Sequence, residues 1–209
     1  MNKVLLALFI LLISLPSMAK PIAQDELSIS PLLNGQTIPS VTVTELNGDS
    51  VSLAKLTANK PSVIFFYRGG WCPFCNAQMG QLKAIEQDLI NMGFQLIGIS
   101  PDSPDALNAS LTKQKLDYTL LSDAKLDAMR AFGLAYFTSA KTTKAYQSKL
   151  QVNNQMWKNS DGDERLVLPV PAIYIIDKNG LVHFQYVNPN YKVRADPKLI
   201  LTAASLVPQ

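Results

Sequence analysis

The chain has 209 residues, 47% of them hydrophobic and 17% charged, with a formal net charge of +3. That is an ordinary globular mixture, and a charge so small and scattered excludes the basic stripe of a nucleic-acid binder or an anionic-lipid reader. Two cysteines and one histidine are too few soft ligands for a closed four-ligand metal site, and nothing in the pattern calls for a cofactor.

Met1 to Ala19 reads as a targeting segment. Lys3 supplies the positive flank, Val4 to Leu15 an apolar run, and Ser17-Met18-Ala19 the small residues a signal peptidase accepts. An uncleaved anchor is the alternative, but the run falls short of the roughly 20 residues a spanning helix needs. The mature chain is therefore expected to begin at Lys20 as a single domain over residues 20–209, periplasmic or secreted, with no stable membrane insertion. Lys20 to Ile38, polar and punctuated by proline, is expected to be a loosely packed lead-in. Val41 to Glu45 and Ser50 to Leu53, joined through Asn47-Gly48, read as a hairpin.

Pro61 to Tyr67 is a continuous apolar run, the pattern of a strand buried on both faces, with Arg68-Gly69-Gly70 as its turn. Trp71-Cys72-Pro73-Phe74-Cys75 follows, and from Cys75 the apolar positions Met79, Leu82, Ile85, Leu89 and Met92 mark one face of a helix. Both cysteines thus fall where a strand's carboxyl end meets a helix's first turn. Backbone N–H groups and the positive end of the helix dipole favour a thiolate there. A structural disulfide is the bland alternative, but so short a ring constrains the unfolded chain by only about 2 kcal/mol.

Phe94 to Ser100 reads as a second buried strand, parallel to the first because a helix connects them. Asp102 or Ser103 then caps a helix opening at Pro104. Tyr118 to Leu121 is a short strand, and Asp123 to Phe132 a helix stopped by Gly133. Residues 134–166 are less legible: Tyr136, Phe137, Tyr146, Met156 and Trp157 lie among Lys, Thr and Asn, either as core beneath an insertion or as a wall for a substrate or partner. Leu168 to Pro171 leads into Ala172 to Ile176, which returns through Asp177 to Gly180 as the antiparallel strand Leu181 to Val187. The lone His183 on that strand reads as a packed or solvated residue. Asp196 caps a last helix starting at Pro197.

Three stretches carry a resemblance: Phe66-Tyr67-Arg68-Gly69-Gly70-Trp71-Cys72-Pro73-Phe74-Cys75, Leu168-Pro169-Val170-Pro171-Ala172 and Asn190-Tyr191-Lys192-Val193-Arg194-Ala195-Asp196-Pro197. They resemble the thioredoxin superfamily, and within it the alkyl hydroperoxide reductase/thiol-specific antioxidant, or peroxiredoxin-like, branch. The resemblance implies an α/β thioredoxin-like fold, a central mixed sheet flanked by helices, with an N-terminal hairpin and an insertion before a cis-proline.

It also implies a thiol–disulfide oxidoreductase working in cell-envelope redox homeostasis. Cys72 is the expected exposed attacker and Cys75 the shielded resolving thiol. Trp71, Pro73, Val170 and Pro171 would form the substrate surface around a cis Val170–Pro171 bond. Its partners would be protein or small-molecule disulfides and thiols, with a thiol donor to recycle it. Arg68 is expected to add positive potential or to pair outward with a carboxylate.

Neither carboxylate shuttle of the thioredoxin relatives is present, since their positions fall on Phe66 and Gln78. Aligned as a peroxiredoxin, the peroxidatic cysteine falls on Cys75, the family's proline on Arg68, its threonine on Cys72 and its arginine on Pro171. Peroxidase activity on hydroperoxides is therefore the alternative and expected to be weak, with Arg194 a substitute arginine only if its turn folds back. A non-catalytic binding module is the third reading.

Overall fold

The computed structural model describes residues 19–208, so the expected leader lies outside the described residues apart from Ala19. A seven-stranded sheet runs in the order β10-β9-β3-β4-β5-β1-β2. Its strands are β1 (Thr42–Thr44), β2 (Ser50–Ser52), β3 (Ser62–Phe66), β4 (Gln95–Ser100), β5 (Thr119–Ser122), β9 (Ala172–Ile176) and β10 (Val182–Val187). Central β3 lies parallel to β4 and antiparallel to β9. Its side chains alternate between two cores: Ile64 and Phe66 pack on one face, Val63, Phe65 and Tyr67 on the other. Two buried faces explain why this strand reads as an unbroken apolar run rather than an alternating one.

Helices α2 (Pro73–Ala84), α3 (Glu86–Asn91), α4 (Pro104–Gln114) and α7 (Pro197–Ser205) cover the second face, whereas α1 (Leu53–Thr57) and α5 (Asp127–Ala131) bear on the first. The helix expected as one piece after the cysteines bends at Ile85, whose ψ of 3° leaves the helical range. The apolar face continues through the bend, Leu82 and Leu89 both being fully buried. Ser103, rather than Asp102, caps α4 by accepting the Ala106 amide.

The region illegible in sequence forms α6 (Ala140–Leu150) and a small antiparallel sheet, β6-β8-β7, from β6 (Ala135–Phe137), β7 (Met156–Lys158) and β8 (Glu164–Pro169). The lead-in is not loose, contrary to expectation. Ala23 donates to Ala135 O, Ser30 to Gly133 O, Gly35 to Val182 O and Ile38 to Gly180 O, while the side chains of Leu32 and Ile38 are buried in the first core, so backbone pairing and apolar burial dock it together. Gly133 is required at that seam, because its φ is +71° and a Cβ there would lie 1.9 Å from Ser30 O.

Candidate active site

The turn after β3 sets the site. Gly69 has φ +141°, a conformation open to glycine, and its carbonyl accepts the Cys72 amide at 3.1 Å. This turn delivers Cys72 to the N-cap of α2, with Pro73 at the first helical position and Cys75 in the first turn. Pro73 and Phe74 face solvent, but both sulfurs are buried, Cys72 at 1% exposure and Cys75 at none. The expected exposed attacker is thus corrected: Cys72 packs into the same core as Tyr67, Met79 and Leu82.

The two thiols are unequal. A hydrogen bond from Cys75 is the main reason Cys72 falls from 9.0 to about 6; the Cys75 amide, Arg68 and Arg194 also favour its thiolate against the cost of burial. Burial, and then the thiolate beside it, pushes Cys75 well up, with Arg194 working against that shift. The resting pair is a single thiolate sharing one S–H proton, and its first ionisation belongs to the pair.

The turn 188–196 does fold back. Arg194 donates from Nη2 to Cys75 Sγ at 3.3 Å and from Nη1 to Gln78 Oε1 at 3.0 Å. Gln78, one turn beyond Cys75 on α2, is itself buried and so fixes the guanidinium at the sulfur.

Arg68 points inward rather than out to a carboxylate. It is 2% exposed, and its guanidinium carbon lies 4.0 Å from the ring centroid of Tyr191, 5.0 Å from Tyr146 and 5.2 Å from Trp71. Its Nη2 donates to the Tyr146 hydroxyl. Three aromatic faces at these distances offset part of the cost of a buried cation. Burial acts against the charge, yet the Tyr136 and Tyr146 phenols raise the Arg68 pKa. Of the aromatics left open in sequence, Tyr146 walls the site, Tyr136 is buried with Leu168 and Val170 but lines a cavity beside Arg68, and Phe137 packs in the first core.

Beneath the turn sits a group that sequence reasoning missed. Asp102 is buried, accepts the Gly70 amide at 2.7 Å, and is raised by burial to about 6. The only hint in sequence was its place after β4, where a helix cap satisfies the same pattern.

Val170 and Pro171 do not supply the expected surface. No peptide bond among the described residues is cis, and the Val170 amide is spent on Leu134 O at 2.9 Å. Val170 itself is fully buried between β8 and β9. The segment is an extended trans connection whose polar groups already pair with β6's approach, so it offers no edge to a substrate strand. His183 lies with Nε2 3.3 Å from Asp177 Oδ2 near the β9–β10 turn.

Residues 34–185 match the AhpC/TSA family. The chain belongs to that family. AhpC/TSA membership makes it a thiol-dependent oxidoreductase, in keeping with a cysteine pair at the end of β3. Among similar proteins, "Peroxiredoxin bcp1" of Schizosaccharomyces pombe is 33% identical over 118 residues, 56% of this chain and 60% of that protein's length. "Peroxiredoxin Q, chloroplastic" of Sedum lineare is 27% identical over 175 residues, covering 84% of this chain and 79% of the relative. Among solved structures, reduced Prx3 from Vibrio vulnificus superposes with TM-score 0.66 at 20% identity, over 83% of this chain and 99% of that one. Peroxidoxin BcpB from Mycobacterium tuberculosis gives 0.64 at 18% identity, over 84% and 98%. At such identity these two structures speak for the fold: an α/β, thioredoxin-like peroxiredoxin scaffold with a central mixed sheet.

Proposed function

We propose that this AhpC/TSA protein is a thiol peroxidase of the peroxiredoxin type, with Cys75 as the peroxidatic and Cys72 as the resolving cysteine. This reverses the order of the two sequence-based readings. The observation that carries it is Arg194 at 3.3 Å from Cys75 Sγ, a guanidinium at the sulfur where Pro171 had left none. Burial of both sulfurs and the spent Val170 amide also suit a small hydroperoxide better than a protein disulfide.

The chemistry starts with the shared proton moving from Cys75 to Cys72, which places the negative charge beside Arg194. Cys75 sulfur then attacks the terminal peroxide oxygen, an S–O bond forms as O–O breaks, and the alkoxide leaves with a proton drawn from solvent. Arg194 is aimed at the charge that develops on the reacting atoms, where donors are most effective. Cys72 attacks the sulfenic sulfur, forming the disulfide and expelling hydroxide, which takes the Cys72 proton as water. An external thiol returns two electrons and restores both thiols.

The lowered pKa of Cys72 favours a second reading, thiol–disulfide exchange begun by Cys72. Parallel kinetics of Cys72→Ser and Cys75→Ser separate the two. We expect Cys75→Ser to abolish hydrogen peroxide consumption, and Cys72→Ser to retain one stoichiometric turnover that leaves a trappable sulfenic acid on Cys75. Peroxide turnover that survives loss of Cys75 but dies with Cys72 overturns the assignment. The leader expected at residues 1–19 supports placing this activity in the periplasm or outside the cell.

A further inference from the structure

Arg68 is a buried cation without an anion. Among the described residues no carboxylate lies within ion-pair distance of it, its Nε is buried with no hydrogen-bond partner, and its one side-chain bond is to Tyr146. Guanidinium carries five N–H donors, and cation–π faces satisfy charge but not those donors. Next to it is a cavity of about 140 Å³. Helix α6 opens onto it through its N-cap Ser139, bringing the positive end of an 11-residue helix. Tyr136 adds a hydroxyl that burial holds protonated, its pKa raised to about 12. Apart from Pro189 and Glu26, the residues facing the cavity carry hydroxyl donors or the Arg68 cation, and its one anionic residue, Glu26, is an exposed residue of the lead-in at its edge.

We propose that Arg68 and this cavity bind the carboxylate of a co-substrate that reacts at the cysteine pair. A volume of this size, close to that of a cavity that takes a benzene ring, admits the carboxylate and the few atoms next to it, so the remainder of a larger molecule lies outside it. Arg68 reaches the redox centre electrostatically, since it is one of the groups that favour the Cys72 thiolate. An anion on Arg68 therefore weakens that support, which gives binding a readout of its own. The co-substrate role rests on the thiol peroxidase reading: the carboxylate belongs either to an organic hydroperoxide or to the reducing thiol.

The probe is acetate against chloride at fixed ionic strength, read through thiolate absorbance during a pH titration. Acetate should move the wild-type midpoint upward and leave Arg68→Gln unmoved. Should that variant fold poorly, Tyr136→Phe, which keeps the ring and loses the donor, should blunt the shift, and Glu26→Gln should allow it at lower acetate. A wild-type midpoint indifferent to acetate, or a shift undiminished in Arg68→Gln or Tyr136→Phe, overturns the site.

The source is then settled by KM. A carboxylated hydroperoxide is compared with its methyl ester, and 3-mercaptopropionate with 2-mercaptoethanol. A preference of about tenfold or more for the acid in one pair, the worth of a charge-assisted bond, identifies the co-substrate. No preference in either pair overturns the co-substrate role. An acetate-dependent midpoint in a protein that consumes no hydroperoxide keeps the site and sinks the peroxidase reading instead.

Discussion

Asp102 Oδ2 accepts the Gly70 amide at 2.7 Å, tying the loop after β4 to the turn that delivers Cys72. Burial raises this carboxyl from 3.8 to about 6, although the Gly70 N–H works in the other direction. The folded chain therefore holds the proton more tightly than the unfolded one. The resulting stabilisation is complete below the unfolded value and is lost as pH rises through about 6. Asp102→Asn keeps an acceptor for Gly70 and removes the titration. Between pH 4 and 7 the wild type should lose up to about 3 kcal/mol relative to the variant. Asp123, raised by burial to about 7, acts with the same sign but is common to both proteins. Parallel stability profiles in urea for the two proteins would put Asp102 in water and contradict its burial.

Gly70 has a second constraint. A Cβ there would lie 2.1 Å from Ser110 Oγ. Gly70→Ala should destabilise the fold by about 1–3 kcal/mol through overpacking. Ser110→Ala removes the colliding atom, so the double variant should regain much of that loss. A thermodynamic cycle with no coupling between the two positions would show that the clash is not the cause.

Arg194 and Gln78 predict a graded loss of peroxide chemistry. Removing one donor aimed at developing charge typically costs about 10²-fold or more in rate. Arg194→Met should show a loss of that order, and Gln78→Leu a smaller one, because it leaves the guanidinium in place but loosely held. Stopped-flow oxidation of the reduced protein by hydrogen peroxide measures both. An unimpaired Arg194→Met would remove the arginine from the mechanism.

The cysteine pair predicts a reactivity profile. Alkylation by iodoacetamide should follow a midpoint near 6 that belongs to the pair, since the hydrogen bond from the Cys75 thiol is the largest cause of the depression at Cys72. Cys75→Ala should raise that midpoint toward the ordinary thiol range. If the variant titrates as the wild type does, the arginines rather than the thiol hold the thiolate.

What could be read in the sequence was what local pattern encodes. β3, β4 and the placement of Cys72 and Cys75 at a strand–helix junction follow from apolar runs and spacing over a few dozen residues. The aromatic enclosure of Arg68 was hidden, because Tyr146 and Tyr191 come from segments far along the chain and no spacing predicts their meeting. Residues 134–166 were opaque for a related reason. β6 and β7 have three residues each, too few for a period, and find their shared partner β8 only in three dimensions. Val170–Pro171 misled because a motif can look like a docking loop while its amide is already taken, and sequence carries no record of where an N–H is spent.

The docking of the lead-in has a consequence for how the chain comes to be folded. Residues 23–38 close onto backbone at 133–135 and again at 180–182, so the first of these pairings waits until well past the middle of the chain and the second until nearly all of it has been made. Such pairing at long sequence separation is slow to form, because the ends must meet before any contact rewards them. A growing chain is thus held open from its front end. Pulse-labelled hydrogen exchange during refolding should find the amides of Ala23, Ser30, Gly35 and Ile38 among the last to be protected, after those of β3 and β4.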